Sequence, residues 1–185
     1  ESVPYGRVDF MGRNTYAWPT YNVNNDAEAF SWWYYTAGYG AADGSHWMAG
    51  LGMAGAGAAD DWLVSPELYL RPGTDNILSF YTRMHDGSVT EIYDVLLSPT
   101  GGTDIADFTV TLANVQDNAG AWTQQTYNLS QWAGSKVRVA IHMQTPDQAY
   151  AFFDNFSLTA GELSTDGAPL TPSGLSAEPE LVYDA

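Results

Sequence analysis

The chain has 185 residues, 45% of them hydrophobic and 14% aromatic, which is typical of a single globular domain and not of a disordered segment. Its formal net charge of −16 would repel phosphate groups and anionic lipids, and this argues against nucleic-acid and membrane-surface partners. The lack of cysteine excludes disulfides, thiolate metal sites and cysteine nucleophiles. Since the chain begins at Glu1 without a leader sequence, we expect a mature or excised segment of a longer protein.

The N-terminal third is rich in aromatic residues and is predicted to combine strands with long ordered loops. We expect most of the aromatic side chains between residues 16 and 47 to pack in the core. Trp18, Tyr39 and Trp47 stand in glycine-rich surroundings and are predicted to contact a ligand. Trp and Tyr provide platforms for sugar rings and anchors in peptide pockets equally well, so both ligand classes stay open.

An alternating polar segment follows in the same region. Asn22, Asn24 and Asp26 stand two residues apart, which places their side-chain oxygens on one side of a turn. Calcium takes about 6–8 oxygen ligands of this kind. The segment therefore predicts part of a calcium site, the alternative being an ordinary turn.

A glycine-rich stretch comes next, in which Gly50, Gly52 and Gly55 satisfy the G-x-G-x-x-G spacing of dinucleotide-binding proteins. That motif requires a strand before it and a helix after it. Here Asp60-Asp61 and a strand-like segment follow instead, and their carboxylates would repel a pyrophosphate. We expect a close-packed strand or a loop that needs small residues, and no nucleotide.

The rest of the chain alternates apolar and polar residues with period two, which is typical of half-buried antiparallel strands. The predicted strands span residues 61–65, 76–84, 91–98, 107–112, 123–129, 136–144 and 152–158. Short strands separated by glycine and proline turns favour an all-β sandwich or barrel. Residues 161–185 lack this pattern, so we expect a domain over residues 1–160 and a linker or tail after it.

Catalytic motifs are missing from the sequence, which contains neither G-x-S-x-G nor H-E-x-x-H. Glu91 and Asp94 are three residues apart and would point to opposite faces of a strand, which does not suit glycoside hydrolysis. His85 and Asp86 lie in a predicted hairpin. They are interpreted as an ordinary turn or as ligand contacts.

Several blocks together carry a family resemblance: AADDWLVSPELYL, LSFYTRMHDG, EIYDVLLSPTGG, TQQTYNLSQWAGSKVRVAIHM and AYAFFDNFSL. In order and spacing, this series over about residues 20–160 resembles the bacterial choice-of-anchor J or cleaved-adhesin family. The chain departs from the family pattern at Asn22 and Asn24, where a D-x-D-x-D turn is common, and at Asn155, where a second acidic residue is usual. These departures lower the charge available for calcium.

The resemblance implies an all-β fold, a jelly-roll-like antiparallel β-sandwich of two sheets, with bound calcium at one end. The predicted metal ligands are Asn22, Asn24, Asp26, Asp60, Asp61 and Asp154. If Asp60 and Asp61 are extended, their side chains point to opposite faces, so only one of them joins a shared site directly.

The resemblance also implies a function. We expect a non-catalytic, calcium-dependent ligand-binding module of a secreted or cell-surface bacterial adhesin, which recognises a peptide or glycan on another cell and neighbours other domains of a larger protein. A carbohydrate-binding accessory domain of a secreted hydrolase or protease is the first alternative. A sandwich-fold hydrolase or lyase and a spacer domain without a ligand are the others.

Overall fold

The computed structural model describes residues 18–34, 40–42, 47–52, 57–85, 87–146 and 149–162. Within these ranges the chain forms β-strands and two short 3₁₀ helices, Ile105–Asp107 and Ser130–Trp132. No helix in the described ranges has the length and apolar character needed to cross a membrane. The strands are β1 (Thr20–Asn22), β2 (Ser31–Tyr34), β3 (Trp47–Leu51), β4 (Asp61–Val64), β5 (Leu68–Tyr69), β6 (Thr74–Met84), β7 (Glu91–Ser98), β8 (Val110–Asp117), β9 (Thr123–Asn128), β10 (Lys136–Met143) and β11 (Ala151–Glu162).

These strands form two antiparallel sheets. Sheet I has the order β1-β4-β10-β7-β8, and β5 pairs with the first two residues of β10, Lys136 and Val137. Sheet II has the order β2-β3-β11-β6-β9. Strands that are neighbours in a sheet are mostly distant in sequence, so the connections cross between the sheets as in a jelly roll. The prediction of an all-β antiparallel sandwich is confirmed.

The observed strand bounds follow the predicted ones closely, with two exceptions. Strand β11 continues four residues past the predicted end at 158, and it includes Gly161 and Glu162, which were expected to belong to the linker. The segment predicted as a strand over residues 107–112 begins only at Val110, because Asp107 belongs to a 3₁₀ helix. The Asp107 carboxylate accepts a hydrogen bond from the backbone N–H of Asp104 at 3.0 Å. A short aspartate side chain that bonds nearby backbone groups competes with strand formation, and alternation alone does not reveal this.

The main core lies between the two sheets. Strand β6 alternates strictly between buried and half-buried residues, as the period-two pattern requires. Phe153 of sheet II meets the edge of the Tyr93 ring of sheet I, with 5.4 Å between the ring centroids. Burial raises the pKa of the Tyr93 phenol well above its ordinary value, so this side chain stays neutral inside the core.

The glycine-rich stretch forms part of β3 in the interior of sheet II. Gly50 lies opposite Ser31 on one side and Phe152 on the other. A Cβ atom at Gly52 would overlap the carboxylate of Glu28. Gly50 and Gly52 thus stand in a paired strand of the sheet and beside the Glu28 side chain, and not in a nucleotide-binding loop before a helix, while Gly55 lies outside the described residues.

A second apolar cluster covers the outer face of sheet I. It contains Trp62, Val64, Leu96, Phe108 and Ala140, with Tyr21 packed against it. The Tyr21 hydroxyl donates to the carbonyl of Thr103 at 2.9 Å, which ties the adjacent loop to the sheet. With both faces covered, β4 is buried along its whole length, and this includes its first residue, Asp61.

Candidate functional site

The polar segment after β1 folds into a turn held by its own side chains. The amide group of Asn22 donates to the carbonyls of Asp26 and Glu28, at 3.0 and 2.7 Å. The amide group of Asn24 donates to the Asp26 carboxylate and to the carbonyl of Ala58, at 3.0 and 2.8 Å. Asn25 has a φ of 54°, a left-handed conformation that asparagine tolerates better than most residues. The turn thus brings together Asn22, Asn24 and Asp26.

Asp61 is a buried carboxylate that lies near this turn. It is 0% exposed, and neither of its side-chain oxygens has a hydrogen-bond partner in the described residues. Desolvation by burial, together with the negative charges of Asp26 and Asp60, raises the pKa of Asp61 from 3.8 to about 7. An uncompensated carboxylate of this kind is costly unless a proton or a cation neutralises it.

Asn22 lies directly across from Asp61 in the pairing of β1 with β4. Its amide nitrogen is committed to the turn, and its Oδ1 atom is buried without a hydrogen-bond partner in the described part of the chain. Side chains that are directly opposite in an antiparallel pair lie on the same face, about 4.5–5.5 Å apart at Cβ. The structure therefore places an amide oxygen and a carboxylate side by side, and in the described residues no side chain donates to either. The backbone N–H of Asp60 lowers the pKa of Asp61, but burial and the neighbouring negative charges outweigh it.

Glu28 is a further acidic residue of this region that the sequence interpretation missed. Its carboxylate reaches the backbone at Gly52, and its charge contributes to the raised pKa of Asp61. The backbone N–H of Glu28 donates to the Asp26 carboxylate at 2.9 Å, which fixes the chain between the two acidic residues. The signal was present, because Glu28 continues the alternation of Asn22, Asn24 and Asp26 by one step.

The donors at this end of the sandwich are carboxylate and amide oxygens, which are ligand types that calcium accepts. In the described residues, no group of three histidine, aspartate or glutamate side chains is arranged to hold one ion. Calcium also accepts amide and carbonyl oxygens, so the Asn22 amide oxygen can complement the Asp61 carboxylate. The two orphaned acceptors, with Asp26 and Glu28 nearby, suit a hard cation that binds oxygen.

Asp60 points the other way, onto the outer face of sheet I. Its Oδ1 atom accepts hydrogen bonds from Nε2 of His142 at 2.8 Å and from Nε1 of Trp62 at 3.3 Å. The His142 ring lies flat against Trp62, with centroids 4.0 Å apart and an interplanar angle of 17°. Asp60 and Asp61 thus occupy opposite faces, as the alternation predicts.

A polar cleft of about 410 Å³ opens beside Asp60 and His142. It is lined by Asn24, Ala58, Ala59, Asp60, His142 and Gln144. Asp94, on the neighbouring strand β7, accepts hydrogen bonds from Nε2 of Gln144 and from Nδ2 of Asn114, both at 2.6 Å. His142, Gln144 and Asn114 were not among the residues predicted from the sequence, although alternation over residues 136–144 is a signal that puts His142 and Gln144 on one face.

Asp154 occupies a different place, on β11 of sheet II. Its Oδ2 atom accepts from the backbone N–H of Ala42 at 2.7 Å, and its Oδ1 atom accepts from the backbone N–H of Asn155 at 2.8 Å. Asn155 has a φ of 55° and follows Asp154 at a register shift in the strand. No described contact joins Asp154 to the Asp61 region, and its role as a metal ligand stays a prediction.

The predicted ligand contacts fall in other parts of the fold. Trp18 packs on Phe156, with 4.7 Å between the ring centroids, and helps to line an apolar cleft of about 120 Å³ between the sheets. His85 follows β6, and its ring lies nearly perpendicular to that of Tyr150, with 5.4 Å between the ring centroids. Tyr39, Asp86 and the Trp47 side chain lie outside the described residues. The structure does not join Trp18 and His85 in one site, and their ligand contacts stay predictions.

Comparisons with known proteins identify the family. The family described as Cleaved Adhesin Domain matches residues 14–158. The K1 cleaved adhesin domain of Lys-gingipain from Porphyromonas gingivalis W83 is 25% identical with a TM-score of 0.63, and the match covers 78% of this chain and 90% of that one. The K3 domain of the same protein is 23% identical with a TM-score of 0.60, over 78% of this chain and 91% of that one. No curated protein sequence matches the chain significantly.

Carbohydrate-binding modules share the same architecture. The structure of TmCBM61 in complex with beta-1,4-galactotriose has a TM-score of 0.54 at 12% identity, and the match covers 77% of this chain and 88% of that one. At this identity the likeness shows the fold alone. Cleaved adhesin domains are non-catalytic binding domains of secreted or surface bacterial proteins, which agrees with the expectation that the chain is not an enzyme. The chain belongs to the Cleaved Adhesin Domain family.

Proposed function

We propose that the chain is a calcium-dependent ligand-binding module of a secreted or cell-surface bacterial adhesin, and that it recognises a molecule on another cell or surface. The observation that supports calcium most directly is Asp61, whose two buried oxygens lack partners in the described residues. A glycan and a peptide are the two ligand classes for such a module. An accessory carbohydrate-binding domain of a secreted hydrolase or protease is the alternative setting.

Calcium would reverse an electrostatic penalty that this end of the sandwich carries. Two carboxylates 4 Å apart repel by about 4 kcal/mol at an effective dielectric constant of 20. Asp61 experiences such repulsion from Asp26, Asp60 and Glu28 while it is buried. A cation held by Asp61 and Asn22 turns these repulsions into attractions and supplies the unpaired oxygens with a partner.

The same ion would fix the loops that surround the polar cleft. Asn22 and Asn24 hold the turn to Glu28 and to Ala58, and Ala58 lines the cleft together with Asp60. A chain without cysteine has no disulfides with which to fasten these loops. Calcium at Asp61 would hold these loops in place instead. The rigidity of the cleft would then depend on the calcium concentration.

A calcium titration followed by thermal unfolding tests the metal. A ligand at a hundredfold excess over its dissociation constant adds about 2.7 kcal/mol to the free energy of unfolding. For a chain of this length, that raises the melting temperature by about 5–11 °C. The Asp61→Asn variant should lose this response. Asp75→Asn, on β6 of sheet II, removes the same charge elsewhere and should keep it.

Two results would contradict the calcium part of the proposal. One is a wild-type melting temperature that is identical in calcium and in EDTA. The other is an Asp61→Asn protein that responds to calcium as strongly as Asp75→Asn. Binding of cells or of immobilised ligands with and without EDTA then tests whether recognition needs the ion.

A further inference from the structure

A row of aromatic and polar side chains crosses the outer face of sheet I, and the metal site does not use it. Trp62, His142, Asp94 and Asn114 are successive cross-strand partners on β4, β10, β7 and β8. Directly opposite residues share a face, so the register alone brings these four side chains into one line. Gln144 directly follows β10 and lines the cleft together with His142.

Asp94 organises two amide groups in this row. An ionised carboxylate accepts hydrogen bonds only, so the amide nitrogens of Gln144 and Asn114 must face it, as the two 2.6 Å contacts indicate. The carbonyl oxygens of both amides therefore point away from Asp94. In the described residues these oxygens have no partner, and they are acceptors held in fixed orientation.

A second fixed group lies at the other end of the row. His142 is held by stacking on Trp62 and by the hydrogen bond to Oδ1 of Asp60. The Asp60 side chain is 41% exposed, and its Oδ2 atom has no hydrogen bond in the part of the chain that the structure describes. The polar groups are therefore oriented before any ligand arrives, which reduces the entropic cost of binding.

We propose that the cleft beside His142, with the Asp94-oriented amides of Gln144 and Asn114, binds the hydroxyl groups of a neutral carbohydrate. This inference deepens the proposed function and rests on it. Sugar hydroxyls both donate and accept, so they pair with carboxylate oxygens, amide oxygens and the remaining amide N–H groups of the row. The cleft volume of about 410 Å³ lies within the range of about 300–1,000 Å³ that is typical of small-molecule sites.

The chemistry of the cleft favours a neutral sugar over the other ligand classes. Among the described residues that line it, Ala58 and Ala59 are the apolar ones, which is too little to anchor a hydrophobic peptide side chain. None of these described lining residues is lysine or arginine, and Asp60 and Asp94 would repel the carboxylate of an acidic sugar. Neutral hydroxyl groups can pair with the carboxylate and amide groups of the cleft without such repulsion.

The experiment uses the full chain in calcium on a microarray of neutral oligosaccharides, sialylated oligosaccharides and peptides. The strongest neutral binder is then titrated calorimetrically. We expect Asp94→Asn and Gln144→Ala each to weaken binding about tenfold or more, because each removes fixed hydrogen bonds to the sugar. Gln124→Ala replaces an exposed amide on β9 of sheet II and serves as the matched control. Unchanged melting temperatures show that the variants are folded.

The outcomes separate this inference from the proposed function. Neutral-sugar binding that Asp94→Asn weakens and Gln124→Ala leaves unchanged supports the site and the ligand class. Neutral-sugar binding that neither Asp94→Asn nor Gln144→Ala weakens overturns the site and leaves the binding function intact. Binding of sialylated glycans or of peptides only overturns the ligand class. No saturable binding of any probe overturns this inference and the proposed function together.

Discussion

Replacing Asp61 by asparagine should stabilise the calcium-free protein at neutral and alkaline pH. The carboxylate is buried without hydrogen-bond partners in the described residues, and its pKa is raised to about 7. An amide of the same shape carries no charge to desolvate, and its N–H groups can donate to the buried Oδ1 atom of Asn22, which lies opposite on β1. The substitution should therefore remove a penalty and supply a missing donor.

The magnitude follows from the pKa. Each pKa unit corresponds to about 1.4 kcal/mol, so a rise from 3.8 to about 7 costs the folded state about 4 kcal/mol at most once the pH is above 7. The folded state binds the proton more tightly than the unfolded state, so the free energy of unfolding falls as the pH rises from about 4 to about 7. Asp61→Asn removes this fall and should raise the melting temperature at pH 8 by up to about 8–16 °C.

The assay is thermal unfolding in EDTA from pH 4 to pH 9, with Asp75→Asn as the charge-matched control. The stabilisation by Asp61→Asn should be small at pH 4 and should reach its full size above pH 7. A variant that is destabilised equally at every pH would refute the reasoning, because burial of an uncompensated charge would then not be the property that the substitution removes.

Three further substitutions separate the parts of the site. Glu28→Gln should weaken calcium binding severalfold in a titration and leave the fold intact, since it removes one nearby negative charge; unchanged affinity would contradict this. Gly52→Ala should lower the calcium affinity with little change in the melting temperature, because a Cβ atom there displaces the Glu28 carboxylate, and an unchanged affinity would contradict this. Trp18→Ala should destabilise the protein by about 2–4 kcal/mol in urea unfolding, because it opens the apolar cleft beside Phe156, and it should leave neutral-sugar binding unchanged. Loss of sugar binding in folded Trp18→Ala would contradict this and would show that Trp18 contacts the ligand.

The fold was predictable because alternation with period two is a local signal. The pattern of residues 136–144 identified β10, and the adjacent Asp60 and Asp61 took opposite faces as expected. The 3₁₀ helix at Asp107 was missed, since a side-chain hydrogen bond to nearby backbone overrides alternation there.

The candidate sites were only partly predictable because cross-strand register is not a local property. Asn22 and Asp26 could be chosen from their spacing, but their position beside Asp61 depends on the pairing of β1 with β4. The row from His142 to Asn114 likewise exists only because three strands from different parts of the chain align in one register. Trp18 was predicted to contact a ligand because glycines surround it; its packing on Phe156 was not visible in the sequence, and its ligand contact stays a prediction.

A crystal structure of the protein grown in calcium tests the central claim most directly. We expect a calcium ion about 2.3–2.6 Å from an Asp61 carboxylate oxygen and from Oδ1 of Asn22. Asp61 without a metal in the presence of saturating calcium, or an ion bound at Asp154 and remote from Asp61, would contradict it.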